Sequence, residues 1–272
     1  MTTQTINGRH LYFAILAGAN EVIRNKSELD RINVFPVPDG DTGANLTSTM
    51  KAVLESIRLE EDVEGVLSSA ADGALTGARG NSGLIFAQLF YGWHMEVRNK
   101  KTLDQDELID SLKGALKRLY SVMLNPVEGT ILTVVREWIL SLEHHKGKVH
   151  SIREYAEKTL ADSLSSVAKT TEMLEQLKKN NVVDAGAKGF YHFLEGVRRY
   201  IENGESSVPL IATEAPIEAH PRNMEAHETL GEFRYCCETL LTGKSIRVDR
   251  IRKIAEKYGD SLVIAGGEEK SR

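Results

Sequence analysis

The sequence predicts an all-α protein, and three observations support this fold class. Apolar residues recur at the spacing of one helical face, as Leu11, Ile15 and Val22 do near the start of the chain. The period-2 alternation that is typical of half-buried strands is scarce over the first 204 residues. Short loops rich in glycine, proline and polar residues separate the helical stretches. We therefore predict that most of residues 1–204 is helical, with short connections.

The predicted helices follow one another closely along the chain. The first covers residues 5–25, and a short second turn covers residues 28–32. The remaining predicted helices cover residues 44–59, 62–78, 81–97, 103–123, 126–142, 151–171 and 187–203. This succession indicates one large helical domain over residues 1–204.

The composition excludes several classes of protein. The 272 residues are 41% hydrophobic and 27% charged, which is ordinary for a globular chain with a sizeable core. The formal net charge of −5 argues against a general nucleic-acid binder. No apolar run approaches the length of a membrane span, and the N-terminus lacks the layout of a signal peptide. Cys236 and Cys237 are adjacent and could bridge only with strain, so we expect a reducing, cytoplasmic location.

The composition changes after residue 204. Residues 205–228 contain three of the six prolines, several acidic residues and no glycine, and we predict an extended linker there. Residues 229–272 contain a predicted strand at 230–241, a helix at 248–258 and a short strand at 261–265. Such a piece has too few residues to bury a core of its own. We therefore predict that residues 229–272 are the incomplete start of a second domain.

The loop over residues 33–43 is the first candidate site. Pro36 and Pro38 stiffen the approach, and a tight turn then presents Asp39 and Asp41 just before a predicted helix. Two carboxylates on a loop that leads into a helix N-terminus suit a divalent cation and an anionic ligand. A simple turn followed by a helix cap is the alternative interpretation.

A second candidate lies at residues 76–83, where glycines 77, 80 and 83 separate two predicted helices. Such a loop can turn several backbone N–H groups inward, and the helix that follows adds its dipole. The spacing matches neither the Walker A motif nor the dinucleotide-binding motif. The combination predicts an anion-binding loop.

Two further loops, residues 125–130 and 183–189, place polar and small residues at helix starts. Ordinary helix capping could explain either loop alone. In an antiparallel bundle, however, loops separated by an even number of helices lie at the same end. We therefore expect all four loops to converge on one rim.

Taken together, these four loops resemble one known family. Four segments are similar to motifs of the dihydroxyacetone kinase L-subunit (DhaL-like) superfamily. They are Asn-Val-Phe-Pro-Val-Pro-Asp-Gly-Asp-Thr-Gly-Ala-Asn-Leu at 33–46, Gly-Ala-Arg-Gly-Asn-Ser-Gly at 77–83, Pro-Val-Glu-Gly-Thr at 126–130 and Val-Asp-Ala-Gly-Ala at 183–187. The sequence more closely resembles the N-terminal domain of the bacterial fatty acid kinase subunit that works with DegV-type lipid carriers. The resemblance covers about residues 5–204, and residues 233–240 and 259–263 resemble the start of that subunit's middle domain.

The resemblance implies an antiparallel eight-helix barrel that binds ATP at one end, with two Mg²⁺ ions bridging the phosphates. Asp39 and Asp41 would be the catalytic residues and metal ligands, with Asn33 near the position of a third aspartate in the dihydroxyacetone kinases. Thr42 stands where those kinases have a histidine, which favours the fatty acid kinase branch. The residues implied to bind the nucleotide are Thr42, Gly43, Asn45, Gly80, Asn81, Ser82, Gly83, Thr130, Asp184 and Gly186.

The resemblance implies a kinase subunit that transfers the γ-phosphoryl group of ATP to a fatty acid carboxylate presented by a separate DegV-type carrier. A carboxylate acceptor is already ionised near neutral pH and needs no general base. Six histidines that lie outside the motifs are expected to be surface or structural residues: His10, His94, His144, His145, His150 and His192. A kinase acting on dihydroxyacetone and a non-catalytic nucleotide-binding module are the alternatives. The full-length protein could form a homodimer.

Overall fold

The computed structural model describes residues 5–209, 239, 241–243, 245–258, 262, 264–266 and 270–271. The helices are α1 Gly8–Arg24, α2 Lys26–Arg31, α3 Thr42–Ser56, α4 Val63–Gly77, α5 Gly80–Glu96, α6 Gln105–Val122, α7 Ile131–His145, α8 Ile152–Met173, α9 Glu175–Asn180, α10 Ala185–Asn203 and α11 Val248–Ala255. The strands are β1 Ile6–Asn7, β2 Thr102–Leu103, β3 Leu241–Thr242 and β4 Lys270–Ser271, and Glu205–Ser207 forms one 3₁₀ turn.

The eight long helices form a closed antiparallel ring, which confirms the predicted fold class. Proceeding along the chain through α1, α3, α4, α5, α6, α7, α8 and α10, each helix packs on the next, and α10 returns to pack on α1. The short helices α2 and α9 precede α3 and α10. Because successive long helices run in opposite directions, the loops before α3, α5, α7 and α10 lie at the same end of the ring.

Aromatic side chains fill the interior of the ring. The Phe86 ring on α5 lies 5.8 Å from the rings of Phe190 and Phe193 on α10, and Phe90 lies 5.9 Å from Phe193. Trp138 on α7 meets Phe190 edge to face at 5.6 Å. Edge-to-face contacts of this kind add to the free energy gained by burying the rings. The cluster therefore ties α5, α7 and α10 together across the core.

The helix boundaries differ from the predicted ones where loop chemistry competes with helical periodicity. The helix expected from residue 126 begins at Ile131, because Pro126 and Gly129, with φ of 84°, keep residues 125–130 in a loop. Residue 103, predicted to begin a helix, lies in β2, which pairs with β1, and α6 begins at Gln105 after a capping box. The short helix α9 was not predicted.

The segments after α10 are described only in part. Of the predicted linker at 205–228, residues 205–209 are described, and Val208 is buried. The predicted helix at 248–258 corresponds to α11, whereas nearly all of the strand predicted at 230–241, together with Cys236 and Cys237, lies outside the described residues. In the region of the last predicted strand, Ile264 and Ala265 are buried and the Gly266 N–H donates to Oε1 of Gln88 on α5 at 2.9 Å.

No helix in the part of the chain that the structure describes is both long enough and apolar enough to span a membrane.

The aromatic cluster generates a prediction about stability. Replacing Phe190 by alanine should lower the free energy of unfolding by about 3–5 kcal/mol, because the buried ring leaves a cavity that α5 and α7 cannot close. Urea unfolding followed by circular dichroism measures this change. The matched control is Leu164→Ala on α8, where the side chain is 45% exposed and the expected change is within about 0.5 kcal/mol. Equal effects of the two substitutions would contradict the proposed packing.

Candidate functional site

The loop between α2 and α3 carries the two predicted metal ligands, Asp39 and Asp41. Buried Asn33 holds this loop from inside. Its amide oxygen accepts hydrogen bonds from the N–H and the hydroxyl of Thr42, at 2.9 and 2.5 Å, and its amide nitrogen donates to the Val37 carbonyl at 3.0 Å. Both polar ends of the Asn33 side chain are therefore used to fix the loop. Its role as a metal ligand stays a prediction, and binding would have to replace the bonds to Thr42.

Asp39 and Asp41 form a pair of neighbouring carboxyl groups. The pKa of Asp39 is raised because partial desolvation of its carboxyl group and the negative charge of Asp41 both disfavour the ionised form, although the residue as a whole is exposed. Two carboxyl groups that repel one another when ionised have the charge and the oxygen donors that a divalent cation requires.

The short helix α2 supports the start of α3 through Asp30. Oδ1 of Asp30 accepts a hydrogen bond from the Ala44 N–H at 2.9 Å, while Oδ2 pairs with Nζ of Lys26 at 2.7 Å. Gly43 lies directly against α2, since a Cβ atom there would be 2.1 Å from the Lys26 carbonyl oxygen. The position of α2 therefore determines where α3 begins and how the loop before it is presented.

The glycine-rich loop before α5 packs on α3. Gly80 has φ of +58°, and a Cβ atom at this position would lie 2.5 Å from Nδ2 of Asn45. A Cβ atom at Gly83 would lie 2.5 Å from Oγ1 of Thr49, which accepts a hydrogen bond from the Arg79 N–H at 3.3 Å. These contacts bring the second predicted loop against the first turns of the helix that follows the Asp39–Asp41 loop.

The N-terminus of α5 is oriented toward the shared rim. The side chain of Arg79, the N-cap residue of α5, makes no hydrogen bond to the first turn of this helix. Asn81 is exposed, and the Ser82 hydroxyl lies against Gly186 at the start of α10, where a Cβ atom would be 2.7 Å away. Backbone N–H groups and the helix dipole at this position favour a negatively charged ligand.

Asp184 joins the starts of two other helices. Its buried carboxyl accepts hydrogen bonds from the N–H groups of Ala187 and Ile131, at 2.7 and 3.1 Å, and its own N–H donates to Oγ1 of Thr170 at 3.0 Å. Burial outweighs these favourable hydrogen bonds and raises the pKa of Asp184 to about 6. The residue therefore connects the N-termini of α7 and α10 with α8.

Thr130 caps α7 at the same end of the ring. Its buried hydroxyl donates to the Val127 carbonyl at 2.7 Å and accepts from the Leu132 N–H at 3.3 Å. These bonds are those of an ordinary N-cap. The Thr130 hydroxyl is therefore used within the protein, and the loop before it faces the rim.

Glu128 anchors this loop to α6 and α7. Its carboxylate accepts hydrogen bonds from the Tyr120 hydroxyl at 2.9 Å, from the Thr133 hydroxyl at 2.5 Å and from the Arg136 guanidinium at 3.0 Å. Partial burial and the adjacent carboxylate raise the pKa of Tyr120 to about 12. The network fixes a loop that carries a predicted binding residue.

The four loops meet at one end of the ring, as the sequence predicts. Asn45 touches Gly80, Ser82 touches Gly186, and Asp184 bonds to the first residue of α7. Asn33, Thr42, Thr130 and Asp184 are buried there and already have partners within the protein. Four supporting residues were not predicted, because their roles come from tertiary contacts that no local pattern signals: Asp30, Thr49, Glu128 and Thr170.

Comparison with protein families gives one match that spans most of the ring. A family model described as the DAK2 domain matches residues 36–199. Protein YloV of Bacillus subtilis is 31% identical over 279 residues, covering 98% of this chain and 50% of the relative. An uncharacterised protein of Staphylococcus haemolyticus is 30% identical over 277 residues, with coverages of 97% and 50%. The chain thus spans about half the length of the curated relatives it matches.

Two solved structures are similar in fold. The dihydroxyacetone kinase of C. freundii in its native form superposes with a TM-score of 0.54 at 11% identity, over 70% of this chain and 34% of that one. The same kinase in complex with AMP-PNP and Mg²⁺ gives a TM-score of 0.54 at 12% identity, over 69% and 33%. At such low identity the likeness shows a shared fold.

Asp184 generates a prediction about pH. Its pKa is higher in the folded chain than the ordinary value of 3.8, so the folded state holds the proton more tightly than the unfolded state does. The stabilisation is complete below about pH 4 and is lost as the pH rises through about 6, with a total of about 3 kcal/mol. Urea unfolding at several pH values should show this decline in the wild type and a flatter profile in Asp184→Asn.

Asp162→Asn is the control, because the contribution of Asp162 to stability should depend on pH in the opposite direction. A hydrogen bond from Ser141 lowers the pKa of Asp162, so its stabilisation is present at neutral pH and is lost on acidification. The stability difference between wild type and Asp162→Asn should therefore grow as the pH rises. A difference between wild type and Asp184→Asn that does not change with pH would contradict the assignment.

Proposed function

The chain belongs to the DAK2-domain family, and from this premise we propose that it is an ATP-binding phosphotransferase subunit that requires Mg²⁺. The observation that carries the proposal is the pair Asp39 and Asp41, on the loop that leads into α3, whose first turns pack on the glycine-rich loop before α5. A carboxylate pair next to backbone N–H groups at a helix start suits a cation bound to phosphates. The fold neighbour that was crystallised with AMP-PNP and Mg²⁺ supports the same class of ligand.

The residues present fit a magnesium ion. Mg²⁺ in phosphotransferases is held by one or two carboxylates, with phosphate oxygens and waters completing its coordination. Asp39 and Asp41 supply that number, and among the described residues no group of three or more His, Cys, Asp or Glu side chains forms a closed metal site. Two ions, with Asn33 as a further ligand, remain part of the proposal. When bound, Mg²⁺ would neutralise charge on the β- and γ-phosphates.

The nucleotide would lie across the rim between α3, α5 and α10. Gly80, Asn81, Ser82 and Gly83 would face its phosphates at the start of α5, and Asn45 lies next to this loop. Asp39 and Asp41 would orient the terminal phosphate from the opposite side. The remaining proposed pocket residues are Thr42, Gly43, Thr130, Asp184 and Gly186.

The proposed acceptor is a fatty acid carboxylate, giving an acyl phosphate. Such an acceptor is ionised near neutral pH, so its oxygen can attack the γ-phosphorus directly, and the bond between that phosphorus and the leaving ADP oxygen breaks. The chain would then contribute position and charge, and no proton would have to be removed. A separate DegV-type carrier would present the fatty acid.

A dihydroxyacetone-type kinase is the second candidate. The observation that favours it is the fold shared with the dihydroxyacetone kinase of C. freundii. A hydroxyl acceptor must lose a proton during transfer, so this candidate needs a base at the rim. A nucleotide-binding module without turnover is the third candidate. Partner proteins, a homodimer and a cytoplasmic location belong to the whole protein and are proposed with the acyl-kinase function.

The metal-and-phosphate proposal predicts the effect of removing the carboxylates. Asp39→Asn/Asp41→Asn should weaken ATP binding in the presence of Mg²⁺ by about 100-fold, because charge-assisted contacts worth about 3 kcal/mol are lost. Isothermal titration calorimetry with and without Mg²⁺ measures this effect. The control is Asp110→Asn on the exposed face of α6, which should bind like the wild type. Equal affinity of all three proteins for ATP in the presence of Mg²⁺ would contradict the proposal.

The nature of the acceptor predicts which product forms. Incubation of the wild type with Mg²⁺, ATP and a carrier-bound fatty acid should yield acyl phosphate, trapped as a hydroxamate, whereas dihydroxyacetone should yield no triose phosphate. Triose phosphate alone would establish the dihydroxyacetone alternative. ATP binding without transfer to either acceptor would favour the non-catalytic module.

A further inference from the structure

His192 lies in an unusual environment for a residue outside every recognised motif. It is buried on α10, and only 5% of the residue is exposed. Its Nε2 lies 3.0 Å from Oε2 of Glu28 on α2, and its Nδ1 lies 3.1 Å from Oε2 of Glu195 on α10. Lys188 Nζ is 3.9 Å from the other oxygen of Glu28, and the Tyr191 ring is 5.7 Å from the imidazole. These are the charged and titratable groups that face His192 from the two helices.

The geometry determines which form of the imidazole fits. An ionised carboxylate can only accept hydrogen bonds, so each ring nitrogen must carry a proton to bond to its partner. Both contacts are satisfied only by the positively charged imidazolium. A neutral His192 would direct the lone pair of one nitrogen at a carboxylate oxygen, and one of the two hydrogen bonds would be lost. The imidazolium therefore adds a charged hydrogen bond to the contact between α10 and α2, beside the ion pair of Lys188 and Glu28.

The contact matters because α2 is the support of the candidate metal loop. Asp30 on α2 bonds to the first turn of α3, and the Lys26 carbonyl lies against Gly43. Just after α2, Asn33 bonds to Thr42 and closes the loop. Any displacement of α2 therefore moves both ends of the segment that carries Asp39 and Asp41.

We propose that His192 is a positioning residue, whose imidazolium holds α2 against α10 and thereby fixes the Asp39–Asp41 loop in its binding geometry. The consequence for ligand binding rests on the proposed function, because it assumes that the loop binds Mg²⁺ with ATP. The consequence for the loop itself does not depend on any ligand.

The first experiment measures the loop in the ligand-free chain by amide hydrogen exchange and mass spectrometry. In His192→Gln, peptides from residues 26–45 should exchange at least several-fold faster than in the wild type, while peptides from α5 and α6 should not change. Glu28→Gln breaks the same contact from the other side and should act in the same direction. The control is His94→Gln, a half-buried histidine in the last turn of α5. Unchanged exchange over 26–45 in both His192→Gln and Glu28→Gln would overturn the proposal.

The second experiment measures the affinity for ATP with saturating Mg²⁺ at one pH. His192→Gln should bind ATP about 10-fold more weakly than the wild type and His94→Gln. The double variant Glu28→Gln/His192→Gln should bind no more weakly than His192→Gln, because both substitutions break one contact. Equal affinity of His192→Gln and the wild type, or additive losses in the double variant, would contradict the positioning role. A wild type that fails to bind ATP would refute the proposed function, and hydrogen exchange would still decide the role of His192.

Discussion

The rim of this protein depends on one constraint: four helix N-termini meet there, and each leaves backbone N–H groups without partners in its own helix. At three of the four N-termini, such N–H groups donate hydrogen bonds to side chains of the N-cap residue or of residues elsewhere in the chain. Asn33 and Asp30 bond to the first turn of α3, Thr130 caps α7, and Asp184 serves both α7 and α10. At α5 the N-cap side chain makes no such bond. The loop before α5 packs on α3, the helix that follows the Asp39–Asp41 loop.

Small residues make this convergence sterically feasible. Helix starts can approach this closely only where a side chain is missing, because helices usually pack about 8–10 Å apart. At Gly80 and Gly186 a single added carbon would collide with Asn45 and Ser82. The cost is that such glycines lose more conformational entropy on folding than other residues do. Glycines concentrated at a rim therefore indicate that close approach of backbones is required there, and close approach is also what exposes N–H groups to a phosphate-sized ligand.

The sequence predicted the parts of the structure that depend on local patterns. Periodicity and turn residues located the eight long helices, and counting helices placed the four loops at one end. It could not locate the support beneath the loops, because those contacts join residues far apart in the chain. Asp30 reaches Ala44, Thr49 reaches the loop at Arg79, and Asp184 reaches Ile131. The start of α7 was misplaced for a related reason: residues 126–130 have helical periodicity, but their bonds to α6 and α7 hold them as a loop.

The charge of Asp39 and Asp41 explains why the loop that carries them needs strong support. The negative charge of Asp41 disfavours the ionised form of Asp39, so holding the two carboxylates close together costs free energy that the support of the loop must offset. Hydrogen bonds from Asn33 close the loop from within, but they act on its two ends and not on the helix beneath it. That helix, α2, has only 6 residues, and Leu29 is its one buried residue. Charged contacts to α10 add to its bonds to α3. The carboxylates most useful for binding a cation are thus kept together by a second set of charges, at His192, Lys188 and Glu28, that lies behind them.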